Sequence, residues 1–558
     1  MAESLSVNTG GTAPISTSAS RSSGSPHDRA FRLLLWCAVA FGLLLRGAEY
    51  LENRSLWLDE SFLSLNIIQK PIGELHKPLD YKQGAPLGFL IAQKLCVLAF
   101  GGSEYALRLF PLVCSMAALI FFARLALGAF PPFHALIAVT LFAVADPLIY
   151  YAAEAKQYGC DAAVNAILLL AAMRAIRYEF DTPRAAQLGA AGAVAVFFSH
   201  PSVFVLAGVG LTLSVDCLLK KRWRHAKTLA AVFGCWAIGF ALCYVINLRY
   251  LSKDPFFEEF WRQDFLPSLL DVRWIQRFGV YRFLNFLALS PRNLPIYILL
   301  ALGFVRMVRA NPMLLSFALT PIAFASVASV LHKYPLFDRF LVFLIPPALL
   351  VLGAGVWSVA ALLMRLNARL GYVFAAACLA YPVAHGAATL WTARNVQDLK
   401  PVLAYIQTHK RPDDVIYVSQ LAAYPYKYYA ARYGLNPDID LPQTYVDPNL
   451  GQRYADGLPR RFDRAGYNPI ILGYCSYFTT TSPGDLDKDL SALRGIPRAW
   501  VLITHGGGEG RANIQFLITS YLDAIGTRID SYERPGLWGG SAAYLYDLTS
   551  KAPASSFP

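Results

Sequence analysis

Long apolar runs separated by short polar clusters make up most of the chain. The runs fall at residues 33–49, 106–127, 134–151, 160–176, 185–199, 202–219, 228–249, 293–309, 312–331, 339–363 and 371–390. Most approach the roughly 20 residues needed to cross about 30 Å of hydrocarbon, which predicts about eleven membrane-spanning helices. The run 85–100 is shorter, opens at Ala85-Pro86 and carries Gln93 and Lys94, so it reads as a helix lying at the membrane surface or a re-entrant one. Residues 1–28 are rich in Ser, Thr, Gly and Ala without apolar periodicity and read as a disordered cytoplasmic tail. The run at 33–49 reads as an uncleaved anchor and not as a signal peptide.

After residue 390 the pattern changes. Alternating runs such as Val415-Ile-Tyr-Val418 and Trp500-Val-Leu-Ile503 predict short strands, and Ala423–Tyr433 and Ile514–Ile525 carry helical spacing between them. The organisation expected is a tail over 1–28, a helical membrane domain over 29–390 and a soluble α/β domain over 391–558.

Charge orients this arrangement. With the N-terminus inside, the connections 174–184, 220–227, 306–309 and 365–369 lie on the cytoplasmic side, and each is basic, as the positive-inside rule requires. Counting 85–100 as a span would place all of them outside. The loop 250–291 is predicted external although it holds Lys253, Arg262, Arg273, Arg277 and Arg282; acids are interleaved there, and a long loop votes weakly on orientation. An odd number of spans puts the α/β domain outside.

Composition narrows the class. Of 558 residues, 56% are hydrophobic and 16% charged, against about 25% charged in soluble domains, which excludes an ordinary soluble enzyme and a disordered chain. The net charge of +13 sits in clusters between apolar runs, so no nucleic-acid partner is implied. Most of the nine cysteines lie in apolar runs, only Cys475 lies in the polar C-terminal part, and there is no C-x-x-C pair, so neither an internal disulfide there nor a structural zinc is expected.

Four polar clusters fall on the predicted outer face. In Ser55-Leu-Trp57-Leu-Asp59-Glu60, two adjacent carboxylates follow an interfacial Trp, and Asp59 reads equally as a helix N-cap. In Tyr150-Tyr151-Ala-Ala-Glu154-Ala-Lys156-Gln157-Tyr158-Gly-Cys-Asp161, the alternative is a solvated helix end; Asp161 opens a span and calls for a partner such as Lys156. Ser199-His200-Pro201 is a turn between spans, where a His is more often a hydrogen-bonded turn residue than a ligand. In His332-Lys333-Tyr334-Pro335-Leu-Phe-Asp338-Arg339, Arg339 could snorkel to the interface or bind a phosphate through its planar fork. His505-Gly-Gly-Gly508 looks like a lipase oxyanion loop, but the chain has no G-x-S-x-G elbow, so 505–511 reads as a flexible loop.

Taken in order, Trp57-Leu-Asp59-Glu60, Gln83-Gly-Ala-Pro86-Leu, Ser103-Glu104-Tyr-Ala-Leu-Arg108-Leu and Lys156-Gln-Tyr-Gly-Cys-Asp161 resemble the motifs of polyprenyl-phosphate-sugar glycosyltransferases of the C-type superfold. That family includes protein O-mannosyltransferases and the lipid A aminoarabinose transferase. The match at Lys156 is looser, because the mannosyltransferases have Ser-Arg there. The resemblance spans about residues 33–365 and implies a polytopic α-helical membrane enzyme of the bacterial inner membrane, with catalytic face and C-terminal domain periplasmic or extracellular. It implies an inverting transfer from a polyprenyl-phosphate-linked sugar donor to a lipid, polysaccharide or protein acceptor. By resemblance Asp59 is the base, Glu60 and Asp161 position the acceptor or a divalent cation, and Arg339 or Lys333 holds the phosphate. Glu154, Lys156, Tyr158, His200 and Arg108 complete the expected substrate site. No cofactor is certain.

Two other readings compete. A transporter or lipid flippase also needs polar groups among many spans, but would place charges at mid-membrane and show internal repeats; no repeat is visible. A membrane-anchored binding protein leaves the Asp59–Glu60 and Glu154–Asp161 clusters unexplained.

Overall fold

The computed structural model describes residues 26–290, 294–392, 394–444, 459–476, 478–480, 482–506, 513–537 and 539–549. The tail reading for 1–25 and the loop reading for 507–511 lie outside these residues.

Helices occupy the positions of the apolar runs. The first nine are α1 (Pro26–Leu51), α2 (Leu58–Gln69), α3 (Leu87–Phe100), α4 (Glu104–Ala129), α5 (Pro132–Val144), α6 (Asp146–Tyr150), α7 (Tyr158–Arg177), α8 (Thr182–Phe198) and α9 (Ser202–Leu219). Among the described residues, eight helices are long and apolar enough to cross a membrane: α1, α4, α7, α9, Trp223–Lys253, Pro312–Val330, Asp338–Leu366 and Ala368–Ala388. The pair α5 and Asp146–Ala153, bent by 58°, makes a ninth if taken as one span. The two remaining runs form 17-residue helices, α8 and Leu294–Ala310. The latter compensates for its length by close packing: a Cβ on Gly303 would lie 1.9 Å from the Val351 carbonyl oxygen, and one on Gly355 would lie 1.8 Å from that of Leu299. Small residues let backbones touch where no hydrophobic effect drives association.

The run 85–100 is the separate helix α3. Its Lys94 ammonium donates to the carbonyls of Ile67 and Ile68 at 2.8 and 3.0 Å, closing the end of α2, and Gln93 donates to Leu107 at 2.7 Å. The two polar residues that argued against a span therefore tie α3 to its neighbours.

The bend between α5 and α6 falls at Ala145, immediately before Asp146-Pro147. A proline cannot continue the hydrogen-bond ladder, and carbonyls released inside a membrane must find donors. Arg46, fully buried in α1, supplies them: its guanidinium donates to Ala143 at 3.0 Å, Phe142 at 3.3 Å and the Ser115 hydroxyl at 3.0 Å.

The C-terminal part is a six-stranded mixed sheet in the order β2-β3-β1-β4-β6-β5. Here β1 is Val415–Val418, β2 Arg461–Phe462, β3 Ile470–Leu472, β4 Ala499–Thr504, β5 Thr527–Arg534 and β6 Ser541–Asp547. The central strands β1, β3 and β4 run parallel, β1 pairing with both of the others. All three are buried along their length, as expected for strands covered on both faces. Helices Leu399–His409, Ala423–Tyr429 and Ile514–Ile525 flank the sheet.

This unit is bolted to the ends of the membrane helices. Arg394 pairs with Glu49 and, at 2.5 Å, with Asp146. The Tyr429 hydroxyl accepts from the Leu56 N–H at 2.8 Å, and Arg432 reaches Glu104 at 2.7 Å.

Candidate active site

Three segments converge beneath the C-terminal unit: the first turn of α2, the loop 154–157 before α7, and the turn Asp338–Leu344. Each is irregular for a local reason. Helix α2 opens after Trp57, whose extended backbone stands at the N-cap with no side-chain cap. The loop 154–157 follows the proline break. The turn at 338–344 precedes Pro346 and Pro347, which open the helix Ile345–Leu366.

Asp59 lies inside the first turn of α2, so the capping alternative is set aside. Its carboxylate faces the Lys156 ammonium at 2.9 Å and the Arg339 guanidinium at 3.2 Å. Burial pushes the Asp59 carboxyl up, but Lys156 and Arg339, with His505 beyond them, outweigh it and hold it below the ordinary range.

Glu60, one residue on, points elsewhere. Arg108 grips it with both arms of its fork, Nε to Oε1 at 2.8 Å and Nη2 to Oε2 at 2.7 Å, and the Ala155 N–H adds a third bond at 2.8 Å. The side chains of Glu60 and Arg108 are 0% and 2% exposed, whereas Asp59 and Arg339 keep 16% and 17%. Of the adjacent acids, Asp59 alone is open to an incoming molecule.

Lys156 also donates to Gln83 Oε1 at 2.7 Å. The sequence pointed to Asp161 as its partner; the structure gives it Asp59 instead. Lys156 precedes α7 and turns toward α2, while Asp161 sits inside α7 facing Ser199, with Oδ1 unpartnered. Glu154 is buried with both carboxyl oxygens unpartnered; burial, then the Glu60 carboxylate, pushes it up to about 8.

Arg339 does not snorkel. Its guanidinium lies 5.5–5.9 Å from the ring centres of Trp57, Trp261, Phe337 and Phe340, an aromatic cage that leaves Nε without a partner. Tyr158 packs against Tyr151 and Phe340, ring centres 4.9 and 6.3 Å away. His200 lies in the turn between α8 and α9 beside Asn247, and burial pushes its imidazole down to about 4. Lys333 is exposed and makes no ion pair among the described residues.

Asp59, Glu60, Glu154, Lys156, Tyr158, Arg108 and Arg339 therefore meet in one place, with Asp161 and His200 adjacent. Gln83 and His505 join them unforeseen. His505, read from the sequence as part of a flexible loop, is buried just past β4 in a left-handed conformation (φ 57°) and bonds Gln397, whose Oε1 accepts from the Leu58 N–H at 3.0 Å. A lone His after a strand carries no signal of that contact.

Asp59 faces two cations and both Glu60 oxygens are engaged, while the Glu154 oxygens and Asp161 Oδ1 are unpartnered; among the described residues no group of three His, Cys, Asp or Glu side chains is placed to hold a metal.

No family model and no curated protein sequence matches the chain. Solved structures do resemble it. ArnT from Cupriavidus metallidurans in the apo state is 14% identical, with a TM-score of 0.48 over 91% of this chain and 97% of that one. The same protein bound to undecaprenyl phosphate gives 14% and 0.47 over the same shares. The archaeal oligosaccharyltransferase AglB from Archaeoglobus fulgidus, with an inhibitory peptide and a dolichol-phosphate, is 12% identical with a TM-score of 0.45, covering 86% of this chain and 70% of that one.

Proposed function

We propose that the protein is an inverting membrane glycosyltransferase that moves a sugar from a polyprenyl-phosphate donor to an acceptor hydroxyl on the outer face. The observation that carries this reading is the partly open Asp59 carboxylate held between Lys156 and Arg339 at the ends of membrane helices. A lipid-linked donor needs its tail in the bilayer and its phosphate at the interface, where these groups lie.

The donor phosphate is a better partner for a guanidinium and an ammonium than one carboxylate is. As it binds, Arg339 and Lys156 turn to it and Asp59 loses the charges that depress its carboxyl. Asp59 then accepts the proton of the acceptor hydroxyl as its oxygen attacks the anomeric carbon. The bond from that carbon to the phosphate oxygen breaks, the electron pair leaves with the polyprenyl phosphate, and Arg339 and Lys156 stabilise the charge. Glu60 and Arg108 are positioning residues that fix the first turn of α2. Glu154, carrying its proton near neutral pH, adds no negative charge beside the phosphate. Asp161, Tyr158 and His200 line the approach of the acceptor or donor sugar.

The test is transfer from radiolabelled polyprenyl-phosphate sugars by the purified protein, with and without acceptors. Release or transfer of label that disappears in Asp59→Asn is expected. No cleavage of any such donor would overturn the reading.

A further inference from the structure

Beside Gln83 lies a cavity of about 300 Å³ between the segment 77–85, residues 247–257 and Gln443 of the C-terminal unit. That is the lower end of ligand-pocket size, roughly 300–1,000 Å³. Two features of its walls stand out, one in each flanking segment. Tyr81 and Lys82 are consecutive non-glycine residues in the left-handed region, at φ 63° and 52°; such backbone persists where surrounding structure enforces it, and it collects at binding sites. Asn247 projects from a π-helical turn, Tyr244–Leu248, a geometry often found at functional sites. Asn247 is 6% exposed, lines the cavity and lies against the buried imidazole of His200, so a polar amide is held firmly at the wall.

The chemistry of the walls selects the ligand. Every charged residue lining the cavity is already paired: Lys82 with Asp254 at 2.7 Å, Asp80 with Lys70 at 2.9 Å and Lys77 with Glu74 at 3.1 Å. A phosphate would find no spare cation and a cationic peptide no spare acid. What remains are neutral groups, the amides of Asn247 and Gln443 and the Tyr250 hydroxyl, which accepts from Arg249 at 2.8 Å and keeps its own proton to donate, beside the ring of Phe257. Neutral hydrogen-bonding groups next to an apolar ring match a sugar, whose hydroxyls donate and accept and whose C–H face is apolar.

We propose that this cavity is an acceptor subsite for a neutral saccharide unit. The proposal rests on the transferase reading above and gives its acceptor a class. Gln83 links the cavity to the site, since it lines the cavity and accepts from Lys156, which pairs with Asp59. Gln443 makes the C-terminal unit part of acceptor recognition.

The test is saturation-transfer NMR on the full-length protein in detergent. The probes are methyl glycosides of glucose, galactose, mannose and N-acetylglucosamine, with inorganic phosphate and a short neutral peptide as alternatives. Binding of at least one glycoside, neither of the alternatives, is expected. It should weaken at least tenfold in both Asn247→Leu and Gln443→Leu, which alter different elements, with melting temperatures measured for each. It should also persist when an undecaprenyl-phosphate sugar is added, because a donor-sugar site would be emptied by it. Binding of phosphate or peptide instead, displacement by the donor, or glycoside binding unchanged in a folded variant overturns the subsite. The wild type separates the two claims: donor cleavage without glycoside binding sinks the subsite alone, and glycoside binding without donor cleavage sinks the transferase reading alone.

Discussion

The Lys156 ammonium lies 2.9 Å from the Asp59 carboxylate and 2.7 Å from the Gln83 side-chain oxygen, so one cation joins the start of α2 to the segment that walls the neighbouring cavity. Arg339 closes the other side of Asp59. An ionised carboxylate ringed by movable cations is a resting state that an anionic substrate can rearrange.

Asp59 and Glu60 should therefore fail differently. Asp59→Asn keeps the shape and removes the proton acceptor, and transfer is expected to fall on the order of 10²–10⁴-fold with normal melting. Glu60→Gln leaves the buried Arg108 guanidinium uncompensated, which costs about 3–5 kcal/mol for a broken buried pair; thermal melting of the purified protein should drop sharply. Normal melting and lost activity for Glu60→Gln, with full activity for Asp59→Asn, would exchange their roles.

Arg339→Lys keeps the charge but not the fork or the aromatic stacking. The expected outcome is a KM for the polyprenyl-phosphate donor raised at least tenfold, read from initial rates at fixed acceptor. An unchanged donor KM would remove the phosphate from Arg339.

Glu154 makes stability depend on pH with a definite sign. Its carboxyl titrates near 4.5 when unperturbed and near 8 in the fold. Between those values the folded protein holds a proton the unfolded chain lacks, so stability falls as pH rises through the window and levels above it. Glu154→Gln has no proton to lose, and its melting temperature should decline less than wild type from pH 5 to 8. Parallel curves would show that Glu154 is ionised throughout.

Topology is open to a direct check. Basic connections at 174–184, 220–227, 306–309 and 365–369 motivate an external C-terminal unit. A reporter active only in the cytoplasm, fused after residue 400, should stay silent. A strong signal would move the whole site to the cytoplasmic side.

What the chain determines alone is what depends on neighbours in sequence. A span is a contiguous apolar run, so every predicted run is found as helix, the one at 134–151 broken before Asp146-Pro147, and the strands at Val415–Val418 and Ala499–Thr504 follow from short apolar runs rich in β-formers. Gln93 and Lys94 marked α3 because a polar pair in a short run is a local fact. The acids and bases of the site could be picked out for the same reason, as polar clusters at the ends of runs. Their pairing could not. Lys156 and Asp59 are 97 residues apart, and which carboxylate the ammonium meets depends on how α7 starts and where α2 lies. Local sequence offered Asp161, and packing chose Asp59. Adjacent Asp59 and Glu60 look alike in one dimension; only the Arg108 fork, delivered by α4, separates the buried acid from the open one. His505 and Gln443 come from a different unit of the chain and enter the site's surroundings only because that unit is docked by Arg394, Tyr429 and Arg432. Tertiary packing decides these partners because charge and hydrogen-bond contacts act over a few ångströms of space, whatever the separation along the chain.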